Sequence, residues 1–432
     1  MLPSQPWFDL RDGVLHAEGV ALPALARRYG TPLYVYSRAA LQAAWHAYRQ
    51  ALHGRRGLVC YGVKANSNLA ILHEFQRLGA GFDIVSGGEL ARVLAAGARP
   101  ETIVFSGVGK QAWEIRAALE AGILCFNVES AGELECIAQV AADCGRPAPV
   151  SVRVNPDVDA HTHPYISTGL KDNKFGVPIQ DARALYHRAR SLPSLRIVGM
   201  DCHIGSQITT IAPWLDALDR LLALIDQLAA DGIQLQHLDL GGGLAIRYTD
   251  ETPPQPADLL EPVFATLQAR GLGHLKVVLE PGRSLVGNAG VLLTEVLYLK
   301  RGETRQFAIV DAAMNDLMRP ALYEAWHGVR PVCPRDGEPT ETWDVVGPIC
   351  ESGDWLARGR ALALAPGDWL AIESAGAYAF SMASQYNSRP RAAEVLVDGE
   401  QAWLVRPRES VHELYAQERI PGQPAHPGVR GP

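Results

Sequence analysis

Lys64 closes an apolar stretch in Tyr61-Gly62-Val63-Lys64-Ala65-Asn66. An amine held among apolar residues loses the water that stabilises its ammonium form, which frees it for Schiff-base chemistry with a carbonyl. A lysine at a strand end more often snorkels to water, so the assignment depends on the residues that accompany it. Gly241-Gly242-Gly243 is one such group. A run of glycines lets backbone amides approach an anion unobstructed by side chains, and phosphate is the natural ligand. Arg283, in Glu280-Pro281-Gly282-Arg283, adds positive charge to that anion site. Glu280 either pairs with Arg283 or faces a pyridine nitrogen, where it would keep the ring protonated as an electron sink. His203, in His203-Ile204-Gly205-Ser206-Gln207, offers a flat ring for stacking, the alternative being a hydrogen-bonded core histidine. His161 and His163 form a His-x-His pair with no evident third ligand. They read as solvated loop residues, and no metal is expected.

Residues so far apart in sequence need a frame that brings them to one place. Between residues 55 and 285, short apolar runs alternate with Ala/Leu-rich stretches. The strand candidates are Leu58–Val63, Phe82–Val85, Ile103–Ser106, Leu124–Val128, Val150–Asn155, Ile197–His203, His237–Leu240 and Lys276–Glu280. Leu69–Leu78, Gly88–Ala96, Gln111–Ala121, Ala131–Ala141 and Leu215–Ala230 read as helices. Nearly unbroken apolar strands suit a parallel sheet buried on both faces, and eight strand-then-helix units predict a (β/α)8 TIM-like barrel. A doubly wound sheet is the alternative. In a barrel the reactive residues belong at the C-terminal strand ends. Lys64, Asp83, Ser86, Ser106, Asn127, Glu129, Arg153, Asn155, His203, the three glycines and Glu280 all fall there.

After Ser284 the texture changes to β-rich runs punctuated by Pro and Gly: Val291–Leu299, Phe307–Asp311, Thr342–Val346, Trp369–Glu373 and Ala393–Val397. Val14–Leu15 and Leu33–Tyr36 resemble them. The expected division is a barrel over residues 36–285, a mostly β domain from 1–35 and 286–418, and a disordered tail at 419–432. A chain of 432 residues is long enough for two cores. With 20% charged residues and a formal charge of −7 it lacks the basic surface of a nucleic-acid binder. No run approaches the ~20 apolar residues of a membrane span, and residues 1–10 lack a secretory pattern. The seven cysteines form no Cys-x-x-Cys pair, so reduced thiols in a cytoplasmic protein are expected.

From about Thr31 to Leu396 the chain resembles the diaminopimelate decarboxylase family. The motifs that carry the resemblance are Tyr61–Asn66, Phe82–Leu90, His203–Gln207, Asp239–Gly243, Glu280–Arg283, Met318–Tyr323, Cys350–Asp354 and Gly376–Ser381. The resemblance implies pyridoxal phosphate bound covalently by Lys64, with His203 stacked on its ring. Gly242, Gly243 and Arg283 would hold the phosphate, Glu280 would face the ring nitrogen, and Tyr378 would lie near cofactor and substrate. It further implies decarboxylation of meso-diaminopimelate to L-lysine and CO2, the last step of lysine biosynthesis. Arg283, Arg319, Tyr323 and Tyr378 would bind substrate, and Glu351 would meet its distal ammonium. The family works as a homodimer, so Cys350, the implied proton donor, and Glu351 would complete the partner's site. Gly62 and Gln385 stand where family members often have Ala and Asn. Competing readings are a related decarboxylase of ornithine, arginine or carboxynorspermidine, an amino-acid racemase, and a non-catalytic regulatory decoy that binds the cofactor.

Overall fold

The computed structural model describes residues 6–159, 173–335 and 337–422. The chain divides into two compact units, one from residues 41–287 and one from residues 1–40 and 288–432.

The first unit is a closed parallel barrel. Its strands are β1 (Gly57–Gly62), β2 (Gly81–Ile84), β3 (Ile103–Phe105), β4 (Cys125–Val128), β5 (Ala148–Asn155), β6 (Leu195–Asp201), β7 (His237–Asp239) and β8 (Lys276–Leu279). Each pairs in parallel with the next, and β8 pairs with β1 to close the ring. These strands lie within two residues of the bounds expected from the sequence. Helices Leu69–Leu78, Gly87–Ala95, Ala112–Ala121, Ala131–Cys144, Ile179–Ser191, Ala212–Ala230 and Pro256–Ala269 return the chain between successive strands. Local chemistry sets their ends. Ser130 caps its helix by accepting from the Glu133 N–H, and Gly145 ends the same helix in the left-handed region at φ 63°. Strand side chains such as Phe82, Phe105 and Phe126 are fully buried, as strands covered on both faces require.

The second unit is mostly β. Its long sheet runs in the order Trp355–Leu362, Glu341–Val346, Gln306–Val310, Gly290–Arg301, Leu33–Ser37, Ala393–Asp398, Gln401–Arg406. Leu33–Ser37 pairs antiparallel with Gly290–Leu293 and parallel with Ala393–Val397, which ties the N-terminal segment into this sheet. Phe8, Leu15, Leu22, Leu33, Val291, Leu293 and Val395 form its core. Each such side chain removed from water contributes roughly 1.5–3 kcal/mol against the cost of ordering the chain. Among the described residues, no helix is long and apolar enough to cross a membrane. His161 and His163 lie outside the described residues, as does most of the segment expected to be a disordered tail.

Candidate active site

In the barrel unit the strand ends gather the residues singled out above. β1 ends at Gly62, and Lys64 follows in the short helical turn Val63–Ala65. Its side chain is 38% exposed, and its amine contacts the carboxylate of Asp83, the penultimate residue of β2, which is wholly buried. The expected desolvation of the amine is therefore corrected: the lysine stands half-open beside an anion, because β1 stops before it and the turn lifts it to the mouth. Asp83 was legible as a rim residue but not as the counter-charge.

Glu280 follows β8 and is buried. Its Oε1 accepts from Ser106 Oγ and from Asn127 Nδ2, both at 3.2 Å. Burial, then the charges of Asp239, Asp83 and Asp201, push the Glu280 carboxyl well above its usual range. A cationic ring nitrogen opposite it would supply the charge that this environment withholds. One oxygen each from Asp201, Asp239 and Glu280 lie within 4.8 Å of one another, all buried. Arg153 reaches into this group from β5, 3.1 Å from Glu129 and 3.9 Å from Asp201.

The glycine turn after β7 is packed tightly on its neighbours. A Cβ on Gly242 would collide with the Glu280 carbonyl, and one on Gly241 would lie 2.6 Å from His203 Nδ1. Gly241 and Gly243 have φ of +66° and +112°, which L side chains rarely adopt. The N–H of Gly241 donates to Asp239 Oδ1 at 2.9 Å and that of Gly242 to His203 Nδ1 at 3.1 Å. Two of the three amides thus hold the turn together. Close approach of the backbone remains, and side chains add donors. Arg283 donates to Ser206 Oγ at 3.3 and 3.0 Å and to Tyr248 Oη at 2.7 Å. Both hydroxyls accept from the guanidinium, so their own protons point elsewhere, as an anion site needs. Tyr248 carried no motif and was missed. These features fit a phosphorylated ring cofactor: an amine, an anion cradle that a Cβ would fill, and buried carboxylate oxygens of Asp83, Asp201 and Asp239 with no hydrogen-bond partner among the described residues.

Burial, with the charges of Arg153 and Lys64, holds the His203 imidazole well below its ordinary value. The ring is neutral, and because Nδ1 accepts from Gly242 its proton sits on Nε2.

The β unit carries the remaining candidates. Arg319 is buried, its guanidinium lies 5.7 Å from the centre of the Tyr323 ring, and its Nε donates to His327 Nε2 at 3.3 Å. Cys350 is exposed. Its N–H donates to Asn387 Oδ1 at 3.0 Å, and the neighbouring Glu351 carboxylate accepts from Tyr386 Oη. Tyr378 is half-buried with a left-handed φ of 53°, a conformation that costs a non-glycine residue energy and clusters at functional positions.

Residues 38–287 match the family model described as pyridoxal-dependent decarboxylase, pyridoxal binding domain. The chain is 61% identical over 413 residues to the diaminopimelate decarboxylase of Pseudomonas aeruginosa, covering 96% of this chain and 99% of that one. A crystal structure of diaminopimelate decarboxylase from Helicobacter pylori complexed with L-lysine is 43% identical with a TM-score of 0.88, covering 91% of this chain and 98% of that one. The enzyme of the same name from M. jannaschii, also in complex with L-lysine, is 37% identical with a TM-score of 0.92, covering 96% and 98%.

Proposed function

We propose that this chain, which belongs to the diaminopimelate decarboxylase family, releases one carboxyl group of meso-diaminopimelate as carbon dioxide and leaves L-lysine. The observation that carries the reading is the convergence of Lys64, Glu280, His203 and the glycine turn with Arg283 at the strand ends of one barrel. Pyridoxal phosphate, when bound, supplies a protonated ring that takes up the electron pair left as the carbon–carbon bond breaks.

The chain's own residues would do the rest. Lys64 would anchor the cofactor through its amine, and Asp83 holds that amine at the mouth beforehand. Gly242, Gly243, Arg283 and Ser206 would hold the phosphate. His203, neutral and fixed by Gly242, would cover the ring face. Glu280 would keep the ring nitrogen charged. Arg319 and Tyr323, with Arg283, would bind the distal carboxylate of the substrate, since a guanidinium takes a carboxylate through two parallel hydrogen bonds. Glu351 would meet the distal ammonium. Tyr378 would border cofactor and substrate. Cys350 would return a proton to the carbon that lost the carboxylate. Cys350 and Glu351 would act in the site of a partner subunit within a homodimer.

The test is to incubate the holoenzyme with meso-diaminopimelate and follow L-lysine by mass spectrometry and gas release. Stoichiometric lysine and carbon dioxide are expected. Carbon dioxide from ornithine or arginine instead would move the assignment to a sister decarboxylase, and epimerised substrate without gas would make the protein a racemase.

A further inference from the structure

Among the described residues, several buried carboxylates of the barrel gather around few cations. Asp83 contacts Lys64, and Arg153 stands between Glu129 and Asp201. A charged ring nitrogen would balance Glu280. Asp239, the last residue of β7 and fully buried, has no cation of its own among the described residues. The other titratable groups around it do not help: Cys60 and Cys125 are buried thiols pushed up and neutral, and His203 is neutral. One Asp239 oxygen accepts from the Gly241 N–H, and the other, Oδ2, is buried without a hydrogen-bond partner among the described residues. One oxygen of Asp239 lies within 4.8 Å of an oxygen of Asp201 and of one of Glu280. Two carboxylates this close in a dry interior cannot both ionise, and a shared proton turns one orphaned acceptor into a donor.

We propose that Asp239 is a positioning residue that keeps its proton at neutral pH and donates it to Glu280, while its other oxygen pins the glycine turn through Gly241. This one carboxyl then joins the group that would face the ring nitrogen to the turn that would hold the phosphate. Glu280 stays anionic because its neighbour is neutral. Burial, followed by the charge of Asp201, pushes Asp239 well above its ordinary value, in keeping with this arrangement.

The proposal rests on the cofactor reading above, and its test is separate from turnover. Infrared spectra of wild-type holoenzyme, with and without carbon-13 label on the aspartate side chains, report whether a protonated aspartate persists at mildly alkaline pH. A label-sensitive carboxylic acid band is expected, and Asp239→Asn removes it. The amide keeps both hydrogen bonds, so cofactor affinity in that variant stays within about twofold of wild type. Asp239→Leu loses both and weakens the cofactor about tenfold or more. No protonated aspartate in the wild type, or a band that survives Asp239→Asn, overturns the proposal. If Asp239→Asn does not fold, Asp239→Glu in protein labelled only on aspartate decides the matter. Loss of the label-sensitive band in that variant supports Asp239, and a band that survives counts against it. A wild-type protein that binds no cofactor sinks the underlying reading, whereas one that binds it and shows no such band sinks only this inference.

Discussion

Arg319 brings a buried positive charge beside the Tyr323 ring. Removing a buried group that pairs with a substrate charge leaves the substrate's own charge desolvated and unpaired, a loss of about 2–5 kcal/mol. Arg319→Ala should therefore raise KM for meso-diaminopimelate by on the order of 100-fold or more, with little change in the absorbance of the bound cofactor. Steady-state kinetics beside a cofactor titration check both halves. The glycines allow a contrast. A Cβ on Gly62 would meet Gly282 Cα at an ordinary 3.5 Å, and its φ of −70° suits any residue. Gly62→Ala should stabilise the protein by roughly 0.4–1 kcal/mol through loss of unfolded-chain freedom. Gly242→Ala, which must push a Cβ into the Glu280 carbonyl, should abolish cofactor binding; equilibrium unfolding and spectral titration measure the pair. Lys64, Glu280 and the glycine run were legible because their types are unusual at the ends of apolar strands. Asp239 and Asp201 were not, since both fall inside the expected strands His237–Leu240 and Ile197–His203, where no pattern marks a carboxyl that shares a proton. Tyr248 was invisible because its part depends on where Arg283 points.

The helix Ala212–Ala230 ends at Asp231, whose carboxylate accepts from Arg183 at 2.7 Å on the neighbouring helix Ile179–Ser191. Arg183, assisted by His187, holds Asp231 down to about 2 against an ordinary 3.8. The stabilisation is fully present above the ordinary value and is lost as the pH falls through about 2. Asp231→Asn should lower the melting temperature slightly at neutral pH, with the gap closing as acid protonates the wild-type carboxylate; melts across the acid range check the sign. The strands and most helices were legible from apolar runs and their spacing. Two elements show where that reading stops. Pro256–Ala269 is a helix despite Pro262 within it, opened by a capping box between Gln255 and Asp258. Proline density hid it. Trp355–Leu362 is a sheet-edge strand carrying Arg358, Gly359 and Arg360, so it lacks the apolar alternation that marks a strand.

At the scale of the whole molecule, the proposed homodimer makes a quantitative statement. Two variant chains, Lys64→Ala and Cys350→Ala, are each expected to be inactive alone. If each site takes its lysine from one subunit and its cysteine from the other, random mixing restores about a quarter of wild-type activity, through heterodimers with one intact site. If both residues serve the same subunit's site, mixing restores none. The assembly was legible only through resemblance, because no residue pattern within one chain marks a two-fold partner. The account as a whole depends on one covalent anchor. Borohydride reduction of the holoenzyme, followed by peptide mass mapping, should place a pyridoxyl group on the peptide that carries Lys64 and on no peptide of Lys64→Ala. A label on another lysine, such as Lys110 or Lys276, or no label in a preparation that still decarboxylates, would contradict it.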